Sequence, residues 1–142
     1  MSEAPDANLR DAQRWLTQAT TNLDGARWLG RGCLWAQACF FCQQAAETAL
    51  KAVLVSIGER EFRTHSTARL VKQVLAYQPE FADFSQDAPL LDRHYVGTRY
   101  PNGVGDQSEL WEEKDFRHAE GAAAKIVELA RQAIGTGPSG AP

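Results

Sequence analysis

The stretch from Cys33 to Gly58, CLWAQACFFCQQAAETALKAVLVSIG, constrains this chain more than any other. Trp35, Cys39, Cys42, Ala46, Ala49, Val53 and Ile57 recur at spacings of three and four, and Ala38, Phe41, Ala45 and Ala52 widen that stripe. So broad an apolar arc predicts a central helix packed on more than one side. No Pro interrupts it, and Gly58 closes it. Gln37, Gln43, Gln44, Glu47 and Lys51 stand in its middle, where a helix used for packing alone has no need of amides and charges.

The flanking segments supply neighbours for that helix. From Ala7 to about Leu29, Ala12, Trp15, Leu16, Ala19, Leu23, Ala26, Trp28 and Leu29 form an amphipathic helical pattern. Gly30-Arg31-Gly32 punctuates the chain before the central stretch, and so short a link between two long helices implies an antiparallel hairpin. After Gly58, Ser66 or Thr64 is placed to cap a third helix over Thr67–Tyr77, with Leu70, Val71, Val74 and Leu75 inward. Residues 80–87 read as an acidic loop anchored by Phe81 and Phe84, and Asp87–Thr98 as a shorter helix presenting Leu90, Leu91 and Tyr95. Pro101, Asn102, Gly103 and Gly105 break regular structure. A last helix over Glu112–Ile134 has Phe116, Ala119, Ala123, Ile126, Val127, Ala130 and Ile134 on its inner face. No strand pattern occurs. The expected fold is all-α, an antiparallel up-and-down bundle of four to five helices spanning residues 7–134, with flexible tails at 1–6 and 135–142. A chain of 142 residues fits one such domain.

Chemistry is read partly by what is missing. There is no phosphate-loop signature, no G-x-G-x-x-G, no H-E-x-x-H and no G-x-S-x-G. Cys39 and Cys42 have C-x-x-C spacing, but no second Cys or His pair completes a zinc site, and their place inside an apolar helix marks them as structural thiols. No metal or cofactor is expected. The net charge of −3 argues against a general nucleic-acid coat while leaving room for a local basic site. No signal-peptide apolar region follows Met1, and no apolar run approaches the roughly 18 residues of a membrane span, so a cytoplasmic protein without membrane contact is expected. His65, His94 and His118 are scattered, and Trp15, Trp28, Trp35 and Trp111 read as core or dimer-packing rings.

Two clusters carry the candidate chemistry. Gln43, Gln44, Glu47 and Lys51 offer two amides, an acid and a base on the central helix. Arg99 and Tyr100 place a cation beside a flat ring, with Arg93, His94 and Tyr95 shortly upstream. A nucleotide needs a cation for its phosphate and an amide or ring for its base, so these residues are the candidate ligand site, and they are expected to meet.

Several of the same residues carry a family resemblance. Arg14-Trp15-Leu16, Gly30-x-Gly32, the run Gln43-Gln44-Ala45-Ala46-Glu47-x-Ala49-Leu50-Lys51-Ala52, the His65-Ser66 turn and Arg99-Tyr100-Pro101 together resemble the HEPN domains (higher eukaryotes and prokaryotes nucleotide-binding), over roughly residues 8–134. The resemblance implies a helical bundle, often a homodimer and often encoded beside a minimal nucleotidyltransferase. Some members are metal-independent ribonuclease toxins using Arg-x(4–6)-His near the start of a late helix. Here no His follows Arg99 within seven residues; His94 precedes it. Arg60-x4-His65 has the spacing but lies between the second and third helices, outside the family's place for the motif. The leading expectation is therefore a nucleotide- or RNA-binding module partnering a nucleotidyltransferase in a toxin–antitoxin-like pair. The alternatives are a ribonuclease using Arg99 with His94, and a structural homodimer adaptor without ligand.

Overall fold

The computed structural model describes residues 3–98 and 110–135. Its helices are α1 (Glu3–Arg31), α2 (Trp35–Ser56), α3 (Thr67–Leu75), α4 (Asp87–Val96) and α5 (Glu113–Ile134), with a 3-10 helix at Pro79–Phe84 between α3 and α4. Among the described residues there is no strand. The chain folds as a helical bundle, with α2 at its centre touching α1, α3, α4 and α5.

That position explains the composition of α2. Sixteen of its side chains are buried, from Ala36 to Val55, so its apolar arc closes almost all the way round. Small residues let the neighbours approach: Ala12, Ala19 and Ala26 of α1 and Ala119, Ala123 and Ala130 of α5 are fully buried around it. α2 ends as the sequence predicts. Gly58 takes φ +93°, its N–H reaches the Val55 carbonyl and that of Glu59 reaches Leu54, the paired bonds of a Schellman stop.

Four local features differ from the sequence reading. α1 begins at Glu3, inside the segment expected as a tail, and runs through Gly30 to Arg31. The chain turns at Cys33 instead, which adopts φ +59° while the N–H groups of Cys33 and Leu34 close on the Gly30 and Leu29 carbonyls. Gly30 serves close approach: a Cβ there would come within 2.6 Å of the Phe116 ring. Trp28 points outward and is 70% exposed, with the Arg31 guanidinium 4.9 Å over its ring; the true inner row passes through Ala26 and Gly30. Finally, the segment expected as an acidic loop winds into the 3-10 helix, because Pro79 supplies a helical φ at its start and Phe81 and Phe84 are both buried.

α5 starts on a reciprocal cap. Glu112 receives a bond at its side chain, and the Asp115 carboxylate accepts from the Glu112 N–H at 2.8 Å. The acidic pair at this helix start is thus consumed in capping, and Glu113 ion-pairs with Arg117.

Candidate functional site

Glu47 is the hub of the polar residues in α2. It lies one turn before Lys51 and one turn after Gln43, so the three stack along one side of the helix. Lys51 Nζ approaches Glu47 Oε2 to 2.8 Å. His65 Nδ1 reaches the same oxygen at 3.1 Å, and Gln43 Nε2 donates to Oε1 at 3.2 Å, with Gln44 Nε2 at 3.4 Å. The Glu47 and Lys51 side chains are 7% and 8% exposed. A carboxylate this dry is stable only because its lone pairs are filled and a cation sits beside it.

The segment between α2 and α3 closes over this hub. Gln43 Nε2 also donates to the His65 carbonyl at 3.1 Å and lies 3.4 Å from Thr67 Oγ1, fixing the backbone on either side of Ser66. The Ser66 hydroxyl accepts from the Arg69 N–H as the N-cap of α3. Asp92 reaches across from α4 as a second cap, accepting from the Thr67 N–H at 2.5 Å, the Ala68 N–H at 3.2 Å and the Ser66 hydroxyl at 2.8 Å. Tyr95, one turn further along α4, meets the His65 ring edge-on at 4.7 Å between centroids. Phe62 lies under the Lys51 ammonium, 5.2 Å from nitrogen to ring centroid, and packs edge-on against Trp15.

Three clefts surround the cluster. One of about 440 Å³ lies between α1 and α2, lined by Arg14, Trp15, Gln18, Gln44, Glu47, Thr48 and Lys51. A second, of about 490 Å³, lies over the segment before α3 and includes Phe62, Arg63, His65 and Arg69. The third, of about 390 Å³ between α3 and α4, shares His65 and Arg69 with the second and adds Asp92 and Tyr95. The Glu47–His65 bond joins a wall of the first cleft to a wall of the other two.

The predicted site residues therefore separate. Gln43, Gln44, Glu47 and Lys51 come together, and Tyr95 joins them through His65. Arg93 does not: it is exposed and turns toward α5, 4.0 Å from Asp115. Arg99 and Tyr100 lie outside the described residues, and so does their expected meeting with Glu47. His94 is placed differently from a proton carrier in an open cleft. It is 2% exposed and accepts at Nδ1 from Trp111 Nε1 at 3.0 Å, which assigns the neutral proton to Nε2. Burial, aided by the neighbouring Arg93 cation, lowers its pKa to about 4. At neutral pH it is an uncharged core residue. Arg60 is committed elsewhere as well, bonding Asn8 at 2.6 Å and Asp11 at 2.7 Å on α1, away from His65.

Sequence reasoning passed over Phe62, Asp92 and the site roles of His65 and Trp15. His65 follows Glu47 by 18 residues and Asp92 precedes no recognisable motif, so no periodic spacing ties them together. The polar interruption of α2 was the available signal, because a buried carboxylate must find donors. The thiols are inert, as their apolar surroundings predict: burial pushes Cys39 up to about 12 and raises Cys42 further. Among the described residues no group of three or more His, Cys, Asp or Glu could hold a metal ion, and no helix is long and apolar enough to cross a membrane.

The comparisons with known proteins agree with this arrangement. The model of the HEPN domain matches residues 12–133. Two crystal structures are similar. TT1696 from Thermus thermophilus is 33% identical, with a TM-score of 0.75, covering 86% of this chain and 97% of its own. ST0689, an archaeal HEPN homologue, is 34% identical, with a TM-score of 0.72, covering 87% of this chain and 97% of its own. No curated protein matches. The family match includes the Glu47 hub, the His65 turn and every helix that frames them, and the chain belongs to the HEPN domain family.

Proposed function

We propose that this chain is a HEPN-type nucleotide- or RNA-binding module whose ligand enters the cleft between α1 and α2. Family membership supports nucleotide binding in general. The observation that carries the local reading is the composition of that cleft: Trp15 offers a ring, Gln18 and Gln44 offer amides, and Arg14 and Lys51 offer positive charge, around about 440 Å³ of space. Rings bind the flat face of a base, amides read its edge, and cations hold phosphate. Gln44 is set rigidly for this work, since its amide donates to Gln43 Oε1 at 2.7 Å.

The finer reading is that the module pairs with a minimal nucleotidyltransferase in a two-component, toxin–antitoxin-like system and self-associates as a homodimer in the cytoplasm. The outward Trp28 and Leu34, 70% and 50% exposed at the α1–α2 corner, are the kind of apolar surface that such contacts cover.

Isothermal titration with nucleoside mono- and triphosphates and with single-stranded RNA tests the ligand. Measurable binding that weakens in Gln44→Leu and Trp15→Phe is expected; no binding by the folded wild-type chain sinks the reading. Co-expression with an adjacent nucleotidyltransferase, followed by gel filtration, tests the partner and the homodimer.

A further inference from the structure

We infer that Arg63, His65 and Arg69 form a phosphate subsite on the far side of the Glu47–His65 bond from the α1–α2 cleft. This rests on the nucleotide-binding reading above and adds to it a separate place for phosphate. The starting observation is charge. Arg63 and Arg69 line the same cleft of about 490 Å³, and both are exposed. Several arginines elsewhere on this surface are committed: Arg14 to Asp11, Arg27 to Glu120, Arg60 to Asp11, Arg117 to Glu113 and Arg131 to Glu128. Among the described residues neither Arg63 nor Arg69 has a side-chain hydrogen bond or an ion pair. Glu61 is the acidic side chain lining that cleft. In the adjoining cleft Asp92 already uses both carboxylate oxygens on the start of α3.

The second observation is the orientation of His65. Its Nδ1 is held by Glu47 and its ring edge by Tyr95, while Gln43 pins its carbonyl. The two nitrogens of an imidazole diverge, so a ring anchored at Nδ1 on the buried side directs Nε2 outward. His65 lines both clefts that Arg69 lines, and among the described residues Nε2 has no partner. Thr64 shares the same walls, its hydroxyl oxygen accepting from the Ser66 N–H while its proton remains to be donated. Two guanidiniums with unused forks, a fixed imidazole and a hydroxyl converge on one concave surface. This is the donor set that a phosphate group takes, because its oxygens accept several charge-assisted bonds at once. A carboxyl–imidazole pair with Nε2 outward gives the subsite a rigid floor, and the guanidiniums supply the attraction.

The chemistry is that of a phosphate ester, as found on a mononucleotide or along an RNA backbone. The test uses the full chain and a fluorescein-labelled single-stranded oligo-uridine, read by anisotropy across a salt series, with AMP, adenosine and inorganic phosphate as competitors. In the double variant Arg63→Gln/Arg69→Gln, RNA affinity is expected to fall at least about tenfold. The slope of log affinity against log salt is expected to shrink by about one, as two lost phosphate contacts require. His65→Ala is expected to weaken binding as well. Competition by AMP and phosphate assigns the subsite to a single nucleotide; displacement by unlabelled RNA alone assigns it to a backbone; both support the inference. Adenosine competing as well as AMP overturns it. So does a double variant with the wild-type circular dichroism spectrum and unchanged affinity and salt slope. If that happens while Gln44→Leu still weakens binding, the subsite is wrong and the nucleotide-binding reading survives. If the wild-type chain binds neither RNA nor AMP, both fall together.

Discussion

Lys51 Nζ lies 2.8 Å from Glu47 Oε2 with both side chains more than nine-tenths buried, so an ion pair sits inside the helix that forms the core. Such a pair seldom adds much stability over apolar residues of the same size, but breaking it by removing one partner strands the other charge.

Glu47→Gln is therefore expected to destabilise the fold by about 3 kcal/mol, because the Lys51 ammonium then has no counter-charge. Adding Lys51→Met should recover a large part of that loss. Urea titrations of the wild type, both single variants and the double variant close the cycle. Additive losses would show that the two residues are not coupled.

His94 makes stability depend on pH. Its folded pKa is about 4, below the ordinary 6.5, so between those values the unfolded chain binds the extra proton and stability falls as pH drops. The contribution is complete above about pH 6.5 and gone below about pH 4; at full strength it is of order 3 kcal/mol. His94→Asn keeps an acceptor where Nδ1 meets Trp111 and removes the titration. The variant should be less sensitive to pH than the wild type over this window. Chemical denaturation at pH 7, 5.5 and 4.5 checks it, and identical pH dependence in both proteins would contradict it.

The α1–α2 turn carries a residue poorly suited to its conformation. Cys33 sits at φ +59°, where a side chain costs about 1 kcal/mol and glycine costs nothing sterically. Cys33 is exposed, so no packing is lost on removing it. Cys33→Gly should raise thermal stability by a few tenths to about 1 kcal/mol, read by calorimetry under reducing conditions.

Asp92 ties α4 to the start of α3 through three accepted bonds. Asp92→Ala should cost about 2 kcal/mol, since two backbone N–H groups lose their partner. Hydrogen exchange should show the loss as faster exchange at Thr67 and Ala68, with amides in the middle of α2 less affected.

The apolar arc of α2, the Gly58 stop, the Ser66 cap and the inner row of α5 were legible because each follows from local physics: helical periodicity, a left-handed glycine, a hydroxyl one residue before a helix. These also carried the family resemblance. The places where the reading missed share one cause. Trp28 and Gly30 exchanged roles because a glycine suggests a turn until Phe116, far along the chain, is seen to need the space. His94 looked available for chemistry because Trp111 and the core around it are invisible in its own segment.

For the site, sequence by itself determined that Gln43, Gln44, Glu47 and Lys51 lie along one part of a buried helix, since 3.6 residues per turn leaves them no choice. It also determined that a carboxylate there must find donors. Tertiary structure alone decided which donors. His65 reaches Glu47, and Asp92 and Tyr95 hold the turn that carries it, because α3 and α4 pack on α2 at that level. A hydrogen bond between residues distant in sequence leaves no periodic trace; only the packing of the helices that bear them brings the atoms within reach.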